Sequence, residues 1–509
     1  MRFLASTMPY LELLKLASPE AVVVITALVV LAIGLMSRPA TVVAGVSHVK
    51  SRTATGWCSL GAVLGVVIAI GAVLMLPRKA NLFGGMLVIT PLTSLFKIIC
   101  LSLAFFTICL VRSEKSLRHP GEYLAIILLA TVGLMLLVSS EELLLIFIGL
   151  ELLGLSLYVM AAFDRNDVRS AEAGLKYFLF GSTSSAFTLF GISLIYGMSG
   201  STGLAAISDK LAAAPMQPLL ATGIIMTLIG FAFKIAAAPF HLWAPDVYQG
   251  APIPSAAFIA SGSKVASFVV LGKIVLVGFG PMHGSSAWHA MTAGWSPLLA
   301  LLAALSILIG NLVALPQTNV RRLLAYSAVA HAGYTLLGLV AGTRDGFSAT
   351  LFYAAVYAIT LVGAFGVVAV VRAETGGDDL KNFSGLAARV PLLASCMAVF
   401  MLSLAGIPPL AGFFGKFYLF SAALRAGGNY GLLWLVALGL FGSFVSLYYY
   451  LIVLKAIFVD QPSLETSSSP GRSSSDLLQR ITVTVLAAAI LLLGLMPDTL
   501  AARILAAVS

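Results

Sequence analysis

Six lysines, Lys97, Lys176, Lys234, Lys264, Lys273 and Lys416, fall inside long apolar stretches of the sequence, and no arginine shares that placement. The asymmetry is chemical. A desolvated lysine can drop its pKa by several units and hand its proton on, whereas an arginine keeps its proton under physiological conditions. An intramembrane charge costs about 2.5–3.5 kcal/mol even on lenient insertion scales, so each lysine is a candidate for proton chemistry by default. Lys97, Lys176 and Lys273 lie within about two helical turns of a stretch end, where the ordinary alternative is a stem that carries the ammonium out to the headgroups. That alternative is weakest for Lys234, Lys264 and Lys416. Among the acids only Glu151 matches them: it has about ten apolar or small residues on either side, which at 1.5 Å per residue puts it about 15 Å from each surface. A carboxylate at that depth stays protonated unless a base stands beside it, so a lysine partner is the economical assumption; the alternative is a neutral acid hydrogen-bonded to a neighbouring helix. His331, close to Tyr334, adds an imidazole whose ordinary pKa of about 6.5 suits a relay, although a lone histidine is more often structural.

The elements that must position these groups follow from composition. Of 509 residues, 60% are hydrophobic and 10% charged, which excludes a soluble enzyme, a disordered chain and a fibrous protein. The net charge of +10 comes without any basic run, so nucleic acid is not an expected partner. A bilayer needs about 20 apolar residues per helix, and fourteen such spans appear between 20–37 and 478–497, among them 143–163, 217–243, 253–280 and 388–423. The expected fold is therefore all-α and polytopic, with the first span retained as a helix. Connections after odd-numbered spans carry sixteen Lys and Arg against eight on the other face, which puts the former in the cytoplasm and both termini outside.

Two spans are interrupted. One meets Pro239 shortly after Lys234; the other contains Gly406-Ile407-Pro408-Pro409 ahead of Lys416. Proline removes a backbone bond, and irregular backbone at membrane depth persists only where protein or internal water satisfies it. Paired breaks are the mark of inverted repeats, which here gives an N-terminal three-helix region (1–120), five-helix repeats over 121–280 and 281–459, and a linker with a last helix (460–509) whose Ser467–Ser475 stretch is flexible in composition. Ser182-Thr183-Ser184-Ser185 and Thr188 add hydroxyls to the interior. The four cysteines, Cys58, Cys100, Cys109 and Cys396, have no metal-type spacing, and nucleotide, haem and flavin motifs are missing, so no metal or cofactor site is expected and any energy source lies on another polypeptide.

The run from Phe233 to Pro252, FKIAAAPFHLWAPDVYQGAP, resembles nearly residue for residue the corresponding region of N-type antiporter-like subunits of proton-pumping NADH:quinone oxidoreductase, respiratory complex I. Gly149-Leu150-Glu151-Leu152, the run from Asn319 to Ser327 with His331, and Leu402 to Pro408 followed by Gly415-Lys416-Phe417-Tyr418 extend the resemblance over roughly 120–455. The first three helices and the last are similar only in hydropathy and position. What the resemblance implies is a midplane chain of proton-transfer groups: Glu151, its lysine partner Lys234, the connecting Lys264, and Lys416 at the exit. It further implies partner membrane and hydrophilic subunits that hold NADH, FMN, iron–sulfur clusters and quinone. Mitochondrial versions are similar but lack three N-terminal helices, so fourteen spans point to a bacterial inner membrane; a chloroplast or cyanobacterial relative is the alternative source. In function the alternative is a stand-alone or multi-subunit Na+/H+ antiporter, whose lysine sites would look alike.

Overall fold

Helices begin where a capping residue meets an apolar run. Asp167 accepts from the Arg169 N–H at the start of Val168–Ser199, Asn319 accepts from Arg321 and Arg322 at the start of Val320–Val340, and Thr343 accepts from Gly346 at the start of Arg344–Thr375. Each satisfies amide donors that a first helical turn leaves unpaired. The computed structural model describes residues 10–37, 47–112, 114, 117–212, 216–426, 428–461 and 477–508; Ser467–Ser475 lies outside them. Among the described residues twelve helices are long and apolar enough to cross a membrane, and Pro218–Lys234 and Pro391–Ala405 are shorter apolar helices. The chain is a polytopic all-α membrane protein. Among the described residues its only paired strands form a short hairpin, Ala80–Leu82 against Leu87–Ile89, turned through Gly84 at φ +69°.

Val320–Val340 and Arg344–Thr375 are buried along most of their length and form the centre, as helices apolar on all sides must. Helices Ser18–Met36 and Val168–Ser199 turn much of their apolar surface outward. The N-terminal helices pack tightly on the rest, since a Cβ added at Gly34 would fall 2.8 Å from the Gly121 Cα.

Both expected interruptions are present. The span expected over 217–243 is helical only to Lys234; Ala236 takes φ +58°, and helix resumes at Trp243–Gly250. The span expected over 388–423 divides into Pro391–Ala405 and Ala411–Ala426 around Gly406 at φ +86°. A third interruption was not expected. The stretch 253–280 is not one helix but Ile253–Ala260 and Gly262–Lys273, followed by a π-helical turn at Ile274–Gly278. Its kink falls on Ser261, whose hydroxyl bonds the Ala257 carbonyl at 2.6 Å, a back-bond that bends helices, next to a glycine.

Candidate functional site

Glu151 lies on Leu143–Ala161 and Lys234 is the last residue of Pro218–Lys234. They line one small cavity of ≈ 20 Å³, with Ser184, Ser185 and Thr188 from the neighbouring helix. That is room for about one water. Ser185 donates a hydrogen bond to Glu151. Among the described residues no ion pair joins Glu151 to Lys234, and the Lys234 ammonium makes no hydrogen bond; it faces the rings of Tyr158 and Tyr177, 5.7 and 5.9 Å from their centroids. The break beyond it is satisfied by protein. Trp243 donates from Nε1 to the Phe233 carbonyl at 3.1 Å, and the Ala238 N–H donates to Ser306 Oγ at 2.8 Å.

Lys264 donates to the Ala328 carbonyl at 2.6 Å, one turn before His331 on the same helix, and stands 5.4 Å from the Tyr357 ring centroid. His331 is 1% exposed and bonded at both nitrogens, to Tyr353 at Nδ1 (2.5 Å) and to Tyr450 at Nε2 (2.9 Å). Tyr450 in turn donates to Ser327 at 2.9 Å. With that orientation the imidazole donates from Nε2 and accepts from Tyr353, which joins Tyr353, His331, Tyr450 and Ser327 in one hydrogen-bonded chain. The Tyr334 ring lies between His331, 5.5 Å away by centroids, and the Lys416 ammonium, 5.1 Å from its centroid. Asn311 fixes that ring by donating to its hydroxyl at 2.8 Å. Lys416 stands on the far side of that ring, donating to the Ala405 carbonyl at 3.0 Å and to Ser443 Oγ at 2.8 Å. Ala405 ends the first segment of the broken helix, so Lys416 caps a carbonyl at that helix end. Glu151 with Lys234 thus forms one cluster, and Lys264, His331 and Lys416 another. Pro239, Pro408 and Pro409 sit in the two breaks.

The other three lysines are held by oxygens of their own. Lys97 pairs with Glu20 at 2.7 Å. Lys273 donates to the Val138 carbonyl at 2.9 Å and stands 3.6 Å from Glu141. Lys176 is half-exposed and bridges Glu172 and Asp246, each at 2.6 Å. Asp246 also takes Arg322 at 2.7 Å. Burial by itself would raise the Asp246 carboxyl, but hydrogen bonds from Lys176 and Arg322 outweigh it and hold the group below the usual carboxylate range. Residue chemistry alone did not single out Asp246, Tyr353 or Tyr450. Arg321, which the sequence places in a connection, opens its helix fully buried by protein, pairing with Asp378 at 3.4 Å and donating to the Ala251 carbonyl. It reads as a loop charge because it opens a helix, yet its partners come from two distant connections. Among the described residues no group of three or more His, Cys, Asp or Glu side chains converges as a metal site would require.

Residues 140–446 match the family described as NADH:quinone oxidoreductase/Mrp antiporter, transmembrane. NADH-quinone oxidoreductase subunit N 2 of Acidobacterium capsulatum is 47% identical over 96% of the chain and 98% of its own length. A chain of respiratory complex I from Thermus thermophilus superposes with a TM-score of 0.75 at 34% identity, covering 95% of this chain and 98% of that one. The Mrp complex of Dietzia sp. DQ12-45-1b contributes a likeness of fold alone, with a TM-score of 0.76 at 22% identity over 97% of each chain.

Proposed function

Because the chain belongs to the NADH:quinone oxidoreductase/Mrp antiporter transmembrane family, among its subunit N members, we propose that it carries protons across a bacterial inner membrane within an NADH:quinone oxidoreductase. Redox chemistry takes place on partner subunits that hold NADH, FMN, iron–sulfur clusters and quinone. The proton path runs from Glu151 and Lys234 through Lys264 and His331 to Lys416. One observation carries this reading: Lys264, His331 and Lys416 lie near one another among buried tyrosines in the centre of a membrane protein, Lys264 bonded one turn from His331 and Lys416 across the Tyr334 ring from it. An ionised Glu151 beside Lys234 keeps the proton on the lysine; when a neighbouring subunit withdraws that charge, the proton moves on towards Lys264 and Lys416. Carrying one charge against 100 mV costs about 2.3 kcal/mol, which corresponds to under about two pKa units and lies within reach of a side-chain rearrangement. In this reading 121–280 and 281–459 are inverted repeats, each with a break and a lysine in its fourth helix, and both termini face outside.

Lys234→Ala tests it. The variant leaves an apolar helix and should assemble, while proton pumping and NADH:quinone turnover fall by about tenfold or more, the scale of losing 1.4 kcal/mol from a required step. Proton uptake in vesicles, with quinone reduction measured in parallel, is the assay. Assembled variant enzyme with normal rate and stoichiometry would sink the relay.

A further inference from the structure

Two cavities in the first half of the molecule share a wall. The larger, of ≈ 650 Å³, lies at the end of the bundle that carries Arg118 and Arg165, with Glu122 and Asp164 also on its lining. Both arginines are exposed, so the cavity reaches the surface that the charge distribution assigns to the cytoplasm. The smaller, of ≈ 20 Å³, is the one that holds Glu151 and Lys234. Tyr158 lines both.

Tyr158 is built into that position. It is 7% exposed, packs edge-to-face on Tyr177 at 4.8 Å, and turns its ring to the Lys234 ammonium. Its hydroxyl sits in a notch cut by two glycines on two helices. A Cβ at Gly154 would lie 3.2 Å from that hydroxyl and 3.3 Å from the Lys234 ammonium, and a Cβ at Gly181 would overlap the hydroxyl outright. Any larger residue at Gly181 would displace the ring from the wall.

We propose that the larger cavity is the water-filled vestibule from which protons reach Lys234, and that the Tyr158 ring is the gate between them. The proposal rests on the relay reading of Lys234 and adds its access route. A pump must not leave its carrier group in contact with the supplying water once loaded. The geometry provides for this: a positively charged Lys234 attracts the face of the Tyr158 ring and keeps it closed, while a neutral amine releases it. The vestibule then reaches Lys234 only when the lysine lacks a proton. Waters in the vestibule, flanked by Glu122 and Asp164, supply the proton; the closed ring keeps those waters from Lys234 and so blocks its return.

Accessibility tests the gate apart from turnover. Ser184 lines the inner cavity and is buried, so Ser184→Cys in the assembled complex reports on it. Inside-out vesicles are treated with a permanently charged methanethiosulfonate, with Ser184 enzyme as the control for the native cysteines. Adding Tyr158→Ala should raise the labelling rate at Cys by on the order of tenfold, whereas Tyr158→Phe should label as slowly as tyrosine. Equal labelling with tyrosine and alanine overturns the gate, as does fast labelling with phenylalanine, which would make the hydroxyl and not the ring the seal. Should Tyr158→Ala fail to assemble, Tyr158→Val gives the same comparison. Proton stoichiometry is the second readout: Tyr158→Ala should move fewer protons per NADH oxidised, and an unchanged ratio overturns the proposal. Normal pumping by Lys234→Ala would instead remove the relay, while labelling would still report whether the ring closes the cavity.

Discussion

Lys234 and Lys416 are the same residue type beside the same kind of helix break, yet their surroundings differ. Lys416 follows its break and is held by a carbonyl and a hydroxyl, at 3.0 and 2.8 Å. Lys234 precedes its break and, among the described residues, meets ring faces and, across a cavity, a carboxylate. Fixed dipoles favour a bound proton to a constant degree. A carboxylate with its own ionisation and mobility can change that preference within a cycle. In the proposed relay the first site therefore suits switching and the second receiving, although both lysines are buried, at 5% and 4% exposed.

The sharpest way to break this contrast is Lys416→Arg. Arginine keeps the charge and can still reach Ala405 and Ser443, but with a pKa above about 12 it does not pass a proton on. The variant should therefore be nearly as inactive in proton uptake as Lys416→Ala, measured in vesicles with matched amounts of assembled enzyme. Full pumping by arginine would take Lys416 out of the path and leave it as a source of local field.

A smaller effect separates the glutamate's charge from its hydrogen bond. Glu151→Gln keeps size and the contact to Ser185 but cannot ionise, so coupled activity should fall by about tenfold, while Glu151→Asp should lose less. Near-normal activity in both would make Glu151 structural and erase the difference between the two sites. The smallest expected change is Ser443→Ala, which removes one of two oxygen ligands of Lys416. Pumping should drop between about twofold and tenfold, the range of one net hydrogen bond, because the Ala405 carbonyl remains. A loss as large as that of Lys416→Ala would show that the receiving site depends on a single ligand and is not a fixed-dipole cradle.

Much of the fold was legible. Apolar length, proline and glycine located the spans and both lysine-bearing breaks, because a helix in hydrocarbon must satisfy its backbone locally. The kink at Ser261 escaped, since a serine back-bond inside an unbroken apolar run leaves hydropathy unchanged. The burial of Arg321 escaped for a related reason: a charge at the first turn of a helix reads as a loop charge unless its distant partner, Asp378, is known.

What the sequence by itself determined was which ionisable groups fall within long apolar stretches, and where the backbone must open. Both are sums over local stretches of about 20 residues. Only the tertiary structure decided what each group faces. Tyr448, Tyr449 and Tyr450 are three identical letters in a row, yet Tyr448 is 61% exposed while Tyr449 and Tyr450 are fully buried. Successive residues on a helix point about 100° apart, so a single turn separates a lipid-facing or partner-facing ring from one that bonds His331. The bond from Tyr450 to Ser327 spans 123 residues of chain. No local pattern encodes it, because the two helices are brought together by the packing of surfaces whose complementarity is three-dimensional.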